Sequence, residues 1–287
     1  DEKKEILTPF IFQRIKTLDH RAKDLIQAAG LDSKQFINYG EINGAPIELN
    51  RALIEHDHVI LIGGISFHYF AGFTGGRKLI CPGLASERTI AATHALAFDC
   101  ETKSRRSGVG TGILKGNAVH EAFIEVAAKI NPSFSFNTIV NDKGEAVEMF
   151  CGDWISSHEK ACEFYAAQNL IKIQEKRDLV IVSCGGFPFD LNLIQAHKAL
   201  ETASHACTEG GQINFLAECA DGLGRNDFLE WFEAEKFDIK IITSLSENEI
   251  RKMRLQKIIF SSELPKNFDK NQRGYILPFG AKYFIRN

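Results

Sequence analysis

Short runs of β-branched and apolar residues alternate along this chain with segments whose apolar positions recur every three to four residues. That alternation limits the folds open to it. The runs His58–Ile62, Phe136–Val140, Val147–Phe150, Leu179–Ser183, Gln212–Leu216 and Phe237–Thr243 have strand character. The segments Pro46–Glu55, Glu87–Phe98, Ala118–Ile130, Trp154–Leu170, Leu191–Cys207 and Asn226–Glu235 have helical spacing. Strand and helix in turn predict an α/β fold with largely parallel sheets.

At 287 residues the chain exceeds the ~100–200 typical of one domain, so two α/β domains are expected. The charged stretch Gln174–Asp178 places their boundary near 172, giving domains 1–171 and 172–287. Ile62-Gly63-Gly64 and Cys184-Gly185-Gly186 each follow a strand and lead to a phenylalanine. Loops at the C-terminal ends of strands are where open α/β sheets hold ligands. One such loop in each domain puts the expected active-site cleft between them. The segment from Phe237 arrives abruptly after Lys236, and residues are expected to be missing there.

Charge narrows the partners. The net charge is −3, without a basic stripe, so neither nucleic acid nor an anionic membrane surface is an expected partner. No apolar run reaches the ~18 residues of a membrane span, and no signal peptide is recognisable. Seven widely spaced cysteines without a C-x-x-C pair point away from disulfides and toward the cytoplasm.

The densest chemistry lies between Gly63 and His94. His68 follows a buried-type strand, and Gly72, Gly75 and Gly76 allow positive φ or close approach of a ligand. Thr74, Arg77 and Lys78 add donors to a loop whose amides could cradle phosphate. Pro82-Gly83 forms a turn, Ser86 caps the next helix, and His94 sits two turns inside it. The spacing is neither that of a P-loop nor G-x-G-x-x-G. By themselves these residues reach only a ligand-binding loop.

A second constellation runs from Gly185 to Lys198. Asp190 is expected to cap a helix on which Gln195 and Lys198, three apart, share a face. An amide beside an ammonium suits a carboxylate or the ketone next to one; read alone, the pair is as well explained by a solvated helix face. His197 is taken as structural. His120, in Gly-Asn-Ala-Val-His-Glu, is expected to pack or hydrogen-bond at a capped helix. His56 and His58 flank Asp57 with i, i+2 spacing, and surface use is the simpler reading of them.

The stretch H-Y-F-A-G-F-T-G-G-R-K-L-I-C-P-G, followed by T-I-A-A-T-H, resembles the signature of the nickel-dependent lactate racemase family. G-G-x-P-x-D-x-N-x-x-Q-x-x-K-A-L resembles its second signature, and the likeness extends from about His20 to Pro278-Phe279-Gly280-Ala281. The resemblance implies a nickel-pincer nucleotide (a pyridinium-3,5-bisthiocarboxylic acid mononucleotide nickel) attached covalently to Lys78. It implies His94 as the protein ligand to nickel and His68 as one of two acid/base histidines. Gln195 and Lys198 would contact substrate or cofactor, with Thr74, Gly75 and Gly76 in the cofactor loop. The implied activity is racemisation or epimerisation of a small-molecule 2-hydroxy acid, with dedicated maturation enzymes as partners.

The family's earlier stretches, which carry an aspartate, an arginine and a second acid/base histidine, have no counterpart here. An upstream segment is therefore expected, and the chain alone is expected to be inactive. Two other readings stay open. One is a non-catalytic cofactor-binding member of the family. The other is a Schiff-base enzyme using Lys78 on a phosphorylated ligand.

Overall fold

The computed structural model describes residues 8–23, 35–102, 104–141, 143–224, 237–258 and 272–286. The expected helix Asn226–Glu235 and the expected break after Lys236 lie outside them.

A single turn α1 (Pro9–Phe12) precedes an antiparallel hairpin of β1 (Phe36–Ile42) and β2 (Ala45–Asn50). Asn43 and Gly44 close the hairpin with φ of 50° and 70°, which asparagine and glycine tolerate best. This overturns the helix expected over Pro46–Glu55. Ile47 and Leu49 enter the core at period two, both 0% exposed, and only Arg51–Leu53 turns, as a 3-10 helix. The apolar set Ile47, Leu49, Leu53 and Ile54 also fits helical spacing, so the Asn-Gly dipeptide ahead of it was the discriminating signal.

The site grows from β3 (Ile60–Gly64). After it come the short antiparallel pair β4 (Phe67–His68) and β5 (Gly72–Phe73), then a 3-10 turn over Gly76–Leu79. Helix α2 (Glu87–Ala95) starts at Ser86, whose hydroxyl accepts from the Thr89 amide as expected. A small hairpin, β6 (Phe98–Asp99) and β7 (Ser104–Arg105), leads to α3 (Ala118–Ala128), capped by Asn117. Next come β8 (Phe134–Val140), β9 (Ala146–Gly152) and α4 (Ser156–Asn169). β3 and β8 are parallel, and β8 and β9 antiparallel, in one three-stranded sheet. One face of it is apolar and open, with Ile62 71% and Met149 50% exposed.

The second half is a five-stranded, wholly parallel sheet in the order β14-β13-β12-β11-β15. Its strands are β11 (Arg177–Ser183), β12 (Cys207–Leu216), β13 (Asp238–Ile242), β14 (Gln256–Lys257) and β15 (Gly274–Leu277). Helices α5 (Leu193–Ala206) and α6 (Glu247–Lys252) cover it. The core joins Val180, Val182, Ile213, Phe215 and Ile241 of the strands to Leu193, Ala196, Ala199 and Ala203 of α5. Small alanines let the helix sit close to a sheet of branched side chains. The cap of α5 is Asn192, which accepts from the Gln195 amide, and not Asp190 as expected. Asp190 instead takes the Glu218 amide and so ties its loop to the end of β12.

The two halves are joined by more than sequence. β10 (Leu170–Lys172), at the end of α4, pairs in parallel with the C-terminal β16 (Phe284–Arg286). Tyr165 of α4 donates to the Lys282 carbonyl at 3.2 Å, and Thr202 of α5 to the Tyr283 carbonyl at 2.9 Å. The last strand therefore lies between α4 and α5. The chain is a mixed α/β fold with parallel sheets, as the alternation of elements predicts.

Candidate active site

The loop from β3 to α2 is shaped from inside by Arg77. Its side chain is 0% exposed. It donates to the Ala71 carbonyl at 2.7 Å, to the Gly75 carbonyl at 3.4 Å, and to His158 Nε2 at 2.7 Å. His158 Nε2 also lies 2.9 Å from the Thr74 carbonyl, so this nitrogen sits between a donor and an acceptor. Burial, then the Arg77 charge, lower His158 to about 3 and keep it neutral. Arg77 was expected to offer donors to a ligand; its guanidinium instead faces inward, as the strut of the loop.

The glycines fit around that strut. Gly75 and Gly76 have φ of 73° and 51°. A Cβ on Gly75 would lie 2.6 Å from Ile65 Cδ1, and one on Gly76 2.6 Å from the His158 ring. Both are therefore required by positive φ and by contact with the protein itself. Thr74 is similarly engaged: its hydroxyl donates to the Gly64 carbonyl at 2.9 Å and accepts from the Ser66 amide at 2.7 Å.

The adjoining 3-10 turn presents Lys78. Its Nζ stands 5.2 Å from the centroid of Phe123, and the His94 ring lies 5.4 Å from the same ring. Phe123, fully buried in α3, is a shared floor for both side chains. Burial, followed by the charges of Arg77 and Lys198, lowers the Lys78 amine to about 7. His94 Nδ1 lies 2.8 Å from the Ile90 carbonyl one turn back. A carbonyl only accepts, so Nδ1 carries the hydrogen and Nε2 holds the lone pair in the neutral ring.

His68, half-buried at the end of β4, receives the amides of Phe70 and Ala71 on Nδ1, at 3.2 and 3.1 Å. Burial drives its pKa well below 6.5, with further lowering from Lys78, Lys198, His94 and Arg77. Five of the residues singled out in the sequence thus share one electrostatic environment. Lys198 enters it from α5, in the other half, with its ammonium donating to Gln195 Oε1 at 2.7 Å. Its pKa is lowered by burial. A small recess opens beside His68 and Lys198, lined also by Tyr69, Thr111, Thr202 and Tyr283; Lys78 and His94 do not line it.

His20, His58 and His120 do not line this recess. His20 has both ring nitrogens engaged, by the Ala85 carbonyl and the Asn50 amide. His120 is buried, and its Nδ1 makes no hydrogen bond among the described residues, so it packs rather than pairs. His58 contacts Ser133 at 3.3 Å on the surface.

The lactate racemase N-terminal domain family matches residues 1–106, and the lactate racemase C-terminal domain family matches residues 172–257. The chain belongs to the lactate racemase family. A lactate racemase of Thermoanaerobacterium thermosaccharolyticum is 37% identical over 194 residues, covering 68% of this chain and 44% of the relative. One of Lactiplantibacillus plantarum is 30% identical over 207 residues, covering 72% and 47%. The aligned region spans about half the length of these curated relatives. The lactate racemase apoprotein structure from T. thermosaccharolyticum superposes with a TM-score of 0.85 at 25% identity, over 100% of this chain and 75% of that one. A Thermotoga maritima protein shares the fold, with a TM-score of 0.60 at 20% identity over 84% of this chain.

Several residues around His68 and Lys198 escaped the sequence. Tyr69 stacks on His68 at 5.0 Å and 11°, and its edge meets His197 of α5 at 5.6 Å. Its place beside His68 was the available signal. Thr111, Thr202 and Tyr283 line the recess from three distant segments, and no local pattern marks them.

Proposed function

We propose that this chain carries part of the machinery of a 2-hydroxy acid racemase, with lactate or a similar small acid as substrate. What supports this reading is that Lys78, Lys198 and His94 all act electrostatically on His68, and that Lys78 and His94 border the same Phe123 ring. It supports a binding site for a small anion next to a proton-transfer group. The lactate racemases among the relatives point to the same class of substrate.

The residues fit a lysine-bound nickel cofactor. Lys78 offers a buried amine that is about half neutral near pH 7, and covalent attachment requires the neutral form. His94 offers Nε2, with Nδ1 oriented by the Ile90 carbonyl in the manner of metal-binding imidazoles. No group of three or more His, Cys, Asp or Glu side chains suited to a metal occurs among the described residues. A nickel ion here would take His94 as its protein ligand and its other donors from the organic cofactor, which suits nickel. When bound, the nickel-pincer nucleotide supplies a reversible acceptor for the hydride of the substrate's α-carbon.

The protein's own groups do the rest. Lys198, braced by Gln195, holds the substrate carboxylate. His68 stays neutral at pH 7 and moves the hydroxyl proton. In the resting ring Nδ1 is capped by two amides, so Nε2 carries the hydrogen and can donate to a ketone or carboxylate oxygen. Accepting the hydroxyl proton requires an available lone pair, so Nδ1 must first release the Phe70 and Ala71 amides. Racemisation also needs an acid/base on the opposite face of the α-carbon. The maturation enzymes that would install the cofactor, and the cytoplasm as the compartment, belong to the same proposal. No helix among the described residues is long and apolar enough to cross a membrane.

The test is a panel of single-enantiomer 2-hydroxy acids, offered to the protein after co-production with maturation proteins and followed by chiral chromatography. Racemisation of lactate or a close analogue is expected, with loss of about 100-fold or more in His68→Ala. Failure to racemise any member, with cofactor shown present, would reject the reading.

A further inference from the structure

Helix α5 presents two adjacent stripes to the first half of the chain. Gln195, Lys198 and Thr202 form the stripe nearer the recess. His197, Glu201 and His205 form the other, spaced four apart along one face. The proposed racemisation uses the first stripe and leaves the second without a role.

The second stripe is gripped by an arm of the first half. Arg105, on the β6–β7 hairpin, makes a two-pronged ion pair with Glu201: NH1 to Oε1 at 2.5 Å and NH2 to Oε2 at 2.9 Å. Glu201 is 12% exposed at its side chain. Burial alone would raise the Glu201 carboxyl, but its hydrogen bonds to His205 and Arg105 overcome that and hold it far below the usual range. The Arg105 guanidinium also stands 5.8 Å from the Phe70 ring, and Phe70 packs on Phe98 of its own hairpin at 5.2 Å. Phe70 in turn meets Tyr69 at 4.2 Å. Tyr69 completes the contact, with its face on His68 and its edge on His197.

We propose that Arg105, Glu201, His197 and Tyr69 form a clasp that sets the register of α5 on the His68 loop, making Arg105 and Glu201 positioning residues for the site. The ion pair fixes the rotation of the helix. That rotation decides whether Lys198 faces His68, because the two stripes share one rigid backbone. Tyr69 carries the same constraint to the plane of the His68 ring. A planar fork on a carboxylate resists rotation where a single point charge would not.

The proposal rests on the functional reading for its consequence but not for its test. His68 is carbethoxylated with diethyl pyrocarbonate in the 287-residue chain and quantified by peptide mass spectrometry against exposed His56. Arg105→Met and Glu201→Gln are expected to raise the His68:His56 ratio about five-fold, as local opening becomes easier, with circular dichroism unchanged. Arg105→Lys should restore part of the protection. Should either variant lose cooperative unfolding, Tyr69→Leu replaces it with the same expected rise. An unchanged ratio in the folded variants overturns the clasp. In the cofactor-loaded enzyme the same two variants should lower kcat about ten-fold, with Arg105→Lys between; wild-type kcat in both also overturns it. A wild-type enzyme that fails to racemise rejects the functional reading, while the labelling ratio still decides the clasp.

Discussion

In the proposed reaction, Lys78 and His68 act through their protonation states. The Lys78 amine, lowered to about 7 by burial and by Arg77 and Lys198, is unlike an ordinary surface lysine. Limited acetylation, mapped by peptide mass, should label Lys78 half-maximally near pH 7, while exposed lysines keep reacting faster up to pH 10 and beyond. Labelling of Lys78 that tracked the surface lysines would contradict the buried, cation-flanked environment. For His68, the amides on Nδ1 predict the Nε2–H tautomer at pH 7 in the resting chain. Nitrogen-15 NMR of labelled histidine reads this directly, and an Nδ1–H form would exclude the geometry described. The residue types at 68, 78 and 94 were legible because they fall in one continuous signature. The inward turn of Arg77 was not, because nothing local says whether a cation faces a ligand or a carbonyl.

At the scale of elements, caps and close contacts hold these side chains in place. Gly76→Ala would force a methyl to within 2.6 Å of the His158 ring while the backbone keeps a positive φ. A loss of about 2 kcal/mol is expected from denaturant unfolding, since His158 is pinned by Arg77 and cannot yield. Asn192→Ala should cost about 1 kcal/mol by removing the α5 cap, whereas Asp190→Ala should spare the helix start. Equal costs would mean that the two residues share the cap. The strands β3, β8, β9, β11, β12 and β13 were legible as β-branched runs, the short β10 was not, and the Ser86 cap and the capped helix after Gly116 were legible too. The β1–β2 hairpin was misread because one apolar set satisfies two periods. Asp190 and Asn192 both make plausible caps, and only the tertiary tie from Asp190 to β12 separates them.

For the whole molecule, burial of neutral histidines sets the response to acid. His120 and His158 are lowered from 6.5 to about 4 and about 3, in both cases chiefly by burial and then by Arg77. Below pH 6.5 the unfolded chain takes up protons that the folded sites refuse. The unfolded state then binds more protons, so stability falls as the pH drops from about 6.5 toward 4. The unfolding midpoint in urea should decline through that window, and His158→Gln should flatten the decline; a flat wild-type profile would contradict the neutral, buried imidazoles. The central claim is that the first half brings Lys78, His94 and His68 together, facing Lys198 of the second, to hold a lysine-linked cofactor against a small hydroxy acid. Its most direct test is peptide-mapped mass spectrometry, with nickel content, of the protein co-produced with the maturation enzymes. A nickel-containing adduct on Lys78, absent from Lys78→Ala, is the predicted result; an adduct on another residue, or one that persists in Lys78→Ala, would contradict the account.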